Sequence, residues 1–309
     1  MGEIFVLTIE QLANMFIFII IGFIMRKAKI GGEGVSKALS ALLVNIFVPA
    51  MFFLNFKDNF TVKNLSENLY LVLFGVAVIA LSFLPAKFFS KLLAKDSLQK
   101  DVYMYSLLVP NMGYMGYPMM EAVFGIKMQF YMMMFAIPYQ ILIYTYGMYI
   151  LNPSRELSLK KLLNPIMISL ILGMAAGLLQ LKLPGFLLGT LESAKNCMAP
   201  SAMILTGFVL AATPFKPIFT DVRLFVGAIL RGVIIPLVFL GVMLLLKLPS
   251  IYIIVAIVTL SMPMGLNSIV FPEAYGGDSL TGAKSTFMSN VVSIITIPLM
   301  FALLGLICK

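Results

Sequence analysis

Apolar residues run along this chain in long blocks joined by short polar connections. Ten blocks reach the roughly 20 residues that a membrane-crossing helix requires. They fall at roughly 5–25, 35–55, 69–92, 102–122, 128–150, 162–181, 186–211, 221–246, 250–273 and 281–307. The most polar connection, Asn152 to Lys161, opens on the turn signal Asn152-Pro153-Ser154 and lies near the middle of the chain. No stretch remains for a soluble domain. Glu3 and Glu10 stand where a secretory signal would be basic, and no small-residue cleavage site follows, so the first block reads as a retained span.

The polar interruptions recur in order. Span 2 carries Asn45-x-x-x-Pro49 and span 7 carries Asn196-x-x-x-Pro200. Span 4 holds a glycine-bearing stretch bounded by Pro110 and Pro118, and span 9 holds one bounded by Pro263 and Pro272. Spans 5 and 10 contain Pro138 and Pro298. Pro49 to Pro200 is 151 residues, Pro110 to Pro263 is 153 and Pro138 to Pro298 is 160. These near-constant offsets predict two five-helix repeats, 1–155 and 156–309. Five is odd, so the second repeat enters the membrane with opposite polarity. The expected fold is an all-α membrane protein of ten transmembrane helices in two inverted repeats, with helices 4 and 9 broken.

Proline lacks an N–H, and its ring clashes with the carbonyl one turn back. Two prolines with glycine between them are expected to unwind about two turns. Backbone groups freed in this way are tolerated only inside protein or against a watery cavity. Helices 4 and 9 are therefore expected in the interior, crossing one another, with Pro110, Pro118, Gly116, Pro263 and Pro272 as hinge positions. Half-helix amino ends present free N–H groups and partial positive charge, which suits a carboxylate. Asn111 and Asn267 lie inside the two breaks and are the first candidates for a solute site; helix capping is the alternative role. Gly113 and Gly265 permit close backbone approach, and Tyr114 and Tyr117 either line the cavity or pack.

Composition agrees. The chain is 61% hydrophobic and only 11% charged, with a mean hydropathy of +1.02. With no His and two isolated cysteines, Cys197 and Cys308, there is no histidine relay, zinc motif or disulfide framework. We expect no metal, no cofactor, no nucleic-acid partner and no enzyme activity. With the amino terminus outside, basic residues divide about fourteen inside against six outside, so both termini are expected outside. Arg231, deep in span 8, either attracts an anion or binds carbonyls freed by Pro236. Glu192 and Lys195 share a helix face and are expected to pair. Glu10, Gln11 and Asn14 form a polar patch on span 1, while Asp101, Glu121, Glu273 and Asp278 read as interfacial. No carboxylate falls inside either break, which argues against an acid-based ion site there. Gly173-Met-Ala-Ala-Gly177 is a small-xxx-small motif suited to helix packing or dimer contact.

Taken together, Val109-Pro-Asn-Met-Gly-Tyr-Met-Gly-Tyr-Pro118, Met262-Pro-Met-Gly-Leu-Asn-Ser-Ile-Val-Phe271, Val44-Asn-Ile-Phe-Val-Pro49 and Gln140-Ile-Leu-Ile-Tyr-Thr145 carry a family likeness across the chain. The chain resembles the auxin efflux carrier family, which includes bacterial malate permease-like carriers and plant PIN carriers. The resemblance implies a fold shared with bile-acid symporters and sodium/proton antiporters. Spans 1, 2, 6 and 7 would form a dimerising scaffold, with Asn45, Pro49, Asn196 and Pro200 facing it. Spans 3–5 and 8–10 would move as an elevator. Asn111 and Asn267 would contact a carboxylate, supported by Gln140; Gly113, Gly265, Tyr114 and Arg231 remain candidates for that site on the reading of the residues alone. Two features depart from the plant pattern: span 3 has Ser82 and Lys87 but no acid, and the long loop between halves is absent. The expected function is secondary transport of a small organic anion, a mono- or dicarboxylate such as malate or an auxin-like acid, in the cell membrane. The alternatives are a sodium-coupled symporter of a bulkier amphipathic anion and a non-transporting membrane sensor.

Overall fold

In lipid every backbone polar group must find its partner within the chain, and apolar blocks of this length satisfy that as helices. The computed structural model describes residues 2–32, 34–154, 164–212 and 216–308. It is helical, with no strand among the described residues. The helices are α1 (Gly2–Lys27), α2 (Val35–Asn59), α3 (Val62–Leu93), α4 (Ser97–Leu108), α5 (Tyr117–Phe124), α6 (Ile126–Leu151), α7 (Pro165–Leu178), α8 (Gly185–Leu210), a short α9 (Lys216–Thr220), α10 (Val222–Leu245), α11 (Ser250–Ser261), α12 (Asn267–Tyr275) and α13 (Ser279–Ile307). Five of them, α2, α3, α6, α10 and α13, are long and apolar enough to cross a membrane. The expected spans 4 and 9 are each divided, into α4 and α5 and into α11 and α12.

Local chemistry sets the boundaries. Thr61 caps α3 by accepting from Asn64 N at 3.0 Å, and Asp96 caps α4 by accepting from Gln99 N at 2.8 Å. Asn164 accepts from Ile166 N and Met167 N, with Pro165 in the first turn of α7. Gly125 separates α5 from α6 at φ 85°, a conformation open to glycine. Four turns are widened to π geometry: Leu43–Phe47, Met112–Gly116, Ile143–Gly147 and Leu230–Ile234. Three of them end two residues before a proline, at Pro49, Pro118 and Pro236. Widening moves the clashing carbonyl away from the ring, so these prolines are absorbed without ending the helix.

Packing sorts the helices. α3 has 32 residues and is roughly 48 Å long. One face, Leu71, Gly75, Val78, Ser82 and Ala86, is buried at helical spacing, whereas Leu73, Leu81 and Leu84 stand exposed on the face left for lipid. α1 lies along α8, and α7 lies along α2. A Cβ on Gly207 would come within 1.8 Å of Ile19 O, so only glycine allows α1 and α8 to pack this closely. The small-xxx-small motif is used in the same way: a Cβ on Gly173 or Gly177 would meet Phe53 O at 2.7 Å or Phe56 O at 2.6 Å of α2. It is therefore an internal contact, and the dimer role considered for it is not available to these two glycines.

Several expectations need correction. The expected pair Glu192–Lys195 does not form; both side chains are exposed on α8 and make no ion pair with each other. Asp101, expected at the interface, is buried within the protein at the start of α4, beside Lys100 Nζ at 3.9 Å. Asp278 caps α13, accepting from Thr281 N at 2.9 Å. Arg155, Lys160 and Lys161, which entered the charge count, lie outside the described residues, as does the side chain of Gln11.

Candidate functional site

The site begins with two helices that stop. The last bond of α4 is Val109 N to Tyr105 O at 2.8 Å. Val109 then turns extended, and Pro110 has no N–H to continue. α11 ends in the same manner, with Met262 extended and Pro263 following. The two extended segments cross antiparallel, pairing Pro110 with Met264. Asn111 N donates to Pro263 O at 2.8 Å, and Gly265 N donates to Val109 O at 3.1 Å. Ser289 on α13 accepts from Met264 N at 3.1 Å. A Cβ on Gly265 would sit 3.0 Å from Val109 O, so a larger residue here would press on the crossing segment. Backbone groups that would each cost several kcal/mol in lipid are thus satisfied by the other break.

The breaks are shorter than the expected two turns, because the second proline of each pair does not end anything. Pro118 lies in the first turn of α5 behind a π-turn, and Pro272 lies inside α12. The helices break at Pro110 and Pro263. Gly116 is in the π-turn, packed toward Met132.

Asn111 is 1% exposed, and neither its Nδ2 nor its Oδ1 has a partner. It does not cap the turn that follows. Asn267, at the start of α12, does not cap its helix either; its Oδ1 accepts from Tyr114 Oη at 3.2 Å. Both amides line one cavity, together with Gly113, Gly265, Tyr114, Gln140 and Pro110. The sequence-predicted core of the site is therefore brought together. Gln140 Nε2 donates to Tyr117 Oη at 2.8 Å and touches Met112 Sδ at 3.9 Å, bracing the π-turn from α6. The cavity's free volume is about 20 Å³, room for about one water. A second cavity of about 210 Å³ shares Met51, Gly113, Tyr114 and Met198 with it and adds Asn55, Glu121, Lys195 and Asn196.

Other candidates sit elsewhere. Arg231 does not line the cavity. It lies behind the crossing, 0% exposed, and its carbonyl partners are Leu107 and Met262 rather than groups freed by Pro236. Asn45 is exposed and donates to Ala41 O in its own helix at 2.8 Å, with Pro49 buried beside the π-turn. Asn196 faces the larger cavity, and Pro200 lines a further one with Asn14 and Tyr114. The two Asn-x-x-x-Pro motifs thus have different surroundings. The reading from sequence missed Tyr105 and Tyr144, whose hydroxyls lie beside Asn267, and the apolar wall of Val48, Met51, Phe52 and Met198. Tyr144 was visible in principle, four residues after Gln140 and so on the same helix face.

No curated protein matches this chain. The sequence model of the family described as membrane transport protein matches twice, over residues 7–160 and 155–301, and so covers nearly all of it. The crossed breaks, the buried amides and the apolar helices belong to a multi-pass membrane protein of the membrane transport protein family, that of auxin efflux and PIN-like carriers.

Proposed function

We propose that this chain is a secondary carrier of small organic anions, with the solute carboxylate held between Asn111 and Asn267 at the crossing of the two breaks. The observation that carries this reading is Asn111: a buried amide whose donor and acceptor are both unused, opening on a cavity. Such a group costs about 1–3 kcal/mol unless it is hydrogen-bonded. The amino ends of α12 and of the π-turn before α5 add N–H groups and partial positive charge on the same side. No Asp, Glu, Lys or Arg lines that cavity among the described residues. Amides and helix ends fit a carboxylate better than they fit a proton or a metal ion.

The mechanism we propose is elevator-type alternating access. The ten spans would form two inverted five-helix repeats; the likeness of the α1–α8 and α7–α2 pairings supports this. Helices α1, α2, α7 and α8 would be the scaffold and dimer face, and the rest would move. The cavity lies on that boundary, with Val48, Met51, Phe52 and Met198 on the scaffold side and the two breaks on the other. Sliding one group against the other would expose the amides to alternate sides. With both termini outside, the larger cavity opens toward the outer ends of α2 and α5. The small crossing cavity is then a contracted site that widens to admit solute.

A thermal-shift screen of purified protein against malate, malonate, lactate and aromatic carboxylates, followed by counterflow in proteoliposomes, tests the proposal. Stabilisation by one of these acids, weakened in Asn111→Ala and in Asn267→Ala, is expected. If both variants bind and transport like the parent, the site lies elsewhere; binding without counterflow would indicate a sensor.

A further inference from the structure

Arg231 is the only fully buried cation among the described residues, and it forms no ion pair with a described carboxylate. An unpaired charge in such a place is expensive unless its hydrogen bonds are met. Two of its three side-chain nitrogens meet main-chain carbonyls. Nη1 donates to Leu107 O at 3.0 Å, and Nε donates to Met262 O at 3.3 Å. Leu107 is in the last turn of α4, and Met262 is the residue on which α11 ends. One guanidinium therefore joins the carboxyl ends of both half-helices.

The charges balance. Each helix carboxyl end carries about half a negative charge, so two make about one unit, facing one positive charge. Carbonyl oxygens at unwound or terminal helix positions are also the ligands that alkali cations take inside membranes. The planar fork of arginine can bridge two such oxygens at fixed spacing, which an ammonium cannot. The π-turn Leu230–Ile234 places Arg231 on the inner side of α10, and its Nη2 is left without a partner.

We propose that Arg231 is a tethered cation doing the work of a bound inorganic ion at the crossing. It neutralises the carboxyl ends of α4 and α11 and pins them together. The amino ends that carry Asn111 and Asn267 then face the solute without an opposing negative field. Arg231 is a positioning residue; it does not touch the solute cavity.

The test needs no solute, so it is independent of the transport proposal. Melting temperatures would be measured on detergent-purified protein, for the parent in sodium, potassium and choline chloride at equal ionic strength, and for Arg231→Lys, Arg231→Gln and Arg231→Ala. The parent should melt alike in all three salts. Arg231→Lys, which keeps the charge, should melt well above Arg231→Gln, which keeps an amide donor without it. In Arg231→Ala, methylguanidinium at about 20 mM should restore about half of the lost melting temperature or more and leave the parent unmoved. Saturable stabilisation of the parent by sodium over choline would mean that a separate ion does this work. Equal melting of the Lys and Gln variants would show that charge is irrelevant. Either result overturns the proposal, even if Arg231→Ala does not fold; if it folds, rescue no larger than in the parent does so as well.

Discussion

Replacing Asn111 by leucine should move stability and binding in opposite directions. The substitution keeps side-chain size while removing two polar atoms that are buried and unpartnered. Leaving such a group unsatisfied costs about 1–3 kcal/mol. The neighbouring space has room for about one water, which would meet part of the need, so the net gain on removing both atoms is about 1–2 kcal/mol. That corresponds to a rise of about 2–8 °C in the melting temperature of solute-free protein, at about 2–4 °C per kcal/mol. The same substitution deletes a hydrogen bond to the carboxylate, worth about 1.5–3 kcal/mol, so binding should weaken about 10- to 100-fold. Differential scanning fluorimetry with and without the best acid from the screen reads both quantities on one sample. A lower melting temperature with unchanged affinity would mean that the amide has an internal structural partner and would refute the reasoning.

Two further predictions concern the frame around the site. Gly207→Ala sets a Cβ 1.8 Å from Ile19 O; α1 and α8 must separate, at a cost of about 1–3 kcal/mol, seen as a lower melting temperature and more aggregate on size exclusion. At the start of α10, partial desolvation raises the Asp221 carboxyl, but hydrogen bonds and charge from Arg223, 2.7 Å away, outweigh it and hold the pKa below the ordinary 3.8. A depressed folded pKa means that its stabilisation is present above the unfolded value and is lost as pH falls through the folded one. Between about pH 6 and pH 3 the parent should therefore lose more melting temperature than Asp221→Asn does; parallel curves would show that the pair contributes nothing.

Most of the helical layout was legible because a membrane span leaves a long apolar block, and the blocks match the helix ends within a few residues except at α3, which starts at Val62. The breaks were legible at Pro110 and Pro263, where a proline follows an extended residue. They were overcalled at Pro118 and Pro272: Pro118 is absorbed behind a π-turn and Pro272 is carried inside α12, and the sequence pattern alone does not distinguish a proline that ends a helix from one that is absorbed. Asn111 and Asn267 were found because polar residues inside an apolar span are conspicuous. Arg231 was found but misassigned: its partners are main-chain carbonyls 124 and 31 residues away, and carbonyls carry no side-chain signature. Glu192 and Lys195 show the reverse error. Their spacing allowed a pair, but both side chains are exposed, where holding two long side chains together gains little.

A carrier must release what it binds, and the lining of the crossing cavity suits that requirement. A buried lysine or arginine against the carboxylate would leave a bare charge in low dielectric each time the solute departed, at a cost of several kcal/mol. Amides avoid this: an empty Asn111 is a neutral dipole, and its unmet bonds cost far less. Among the described residues, the fully buried cation near the crossing, Arg231, is committed to helix carboxyl ends on the other side and does not line the cavity. Two charge-assisted bonds at about 1.5–3 kcal/mol each give about 3–6 kcal/mol, which places the dissociation constant between several millimolar and tens of micromolar, roughly. Isothermal titration with the best acid of the screen measures it. A nanomolar constant would require about 12 kcal/mol, more than this cavity offers, and would mean that a charged group such as Lys195 closes onto the solute in the bound state.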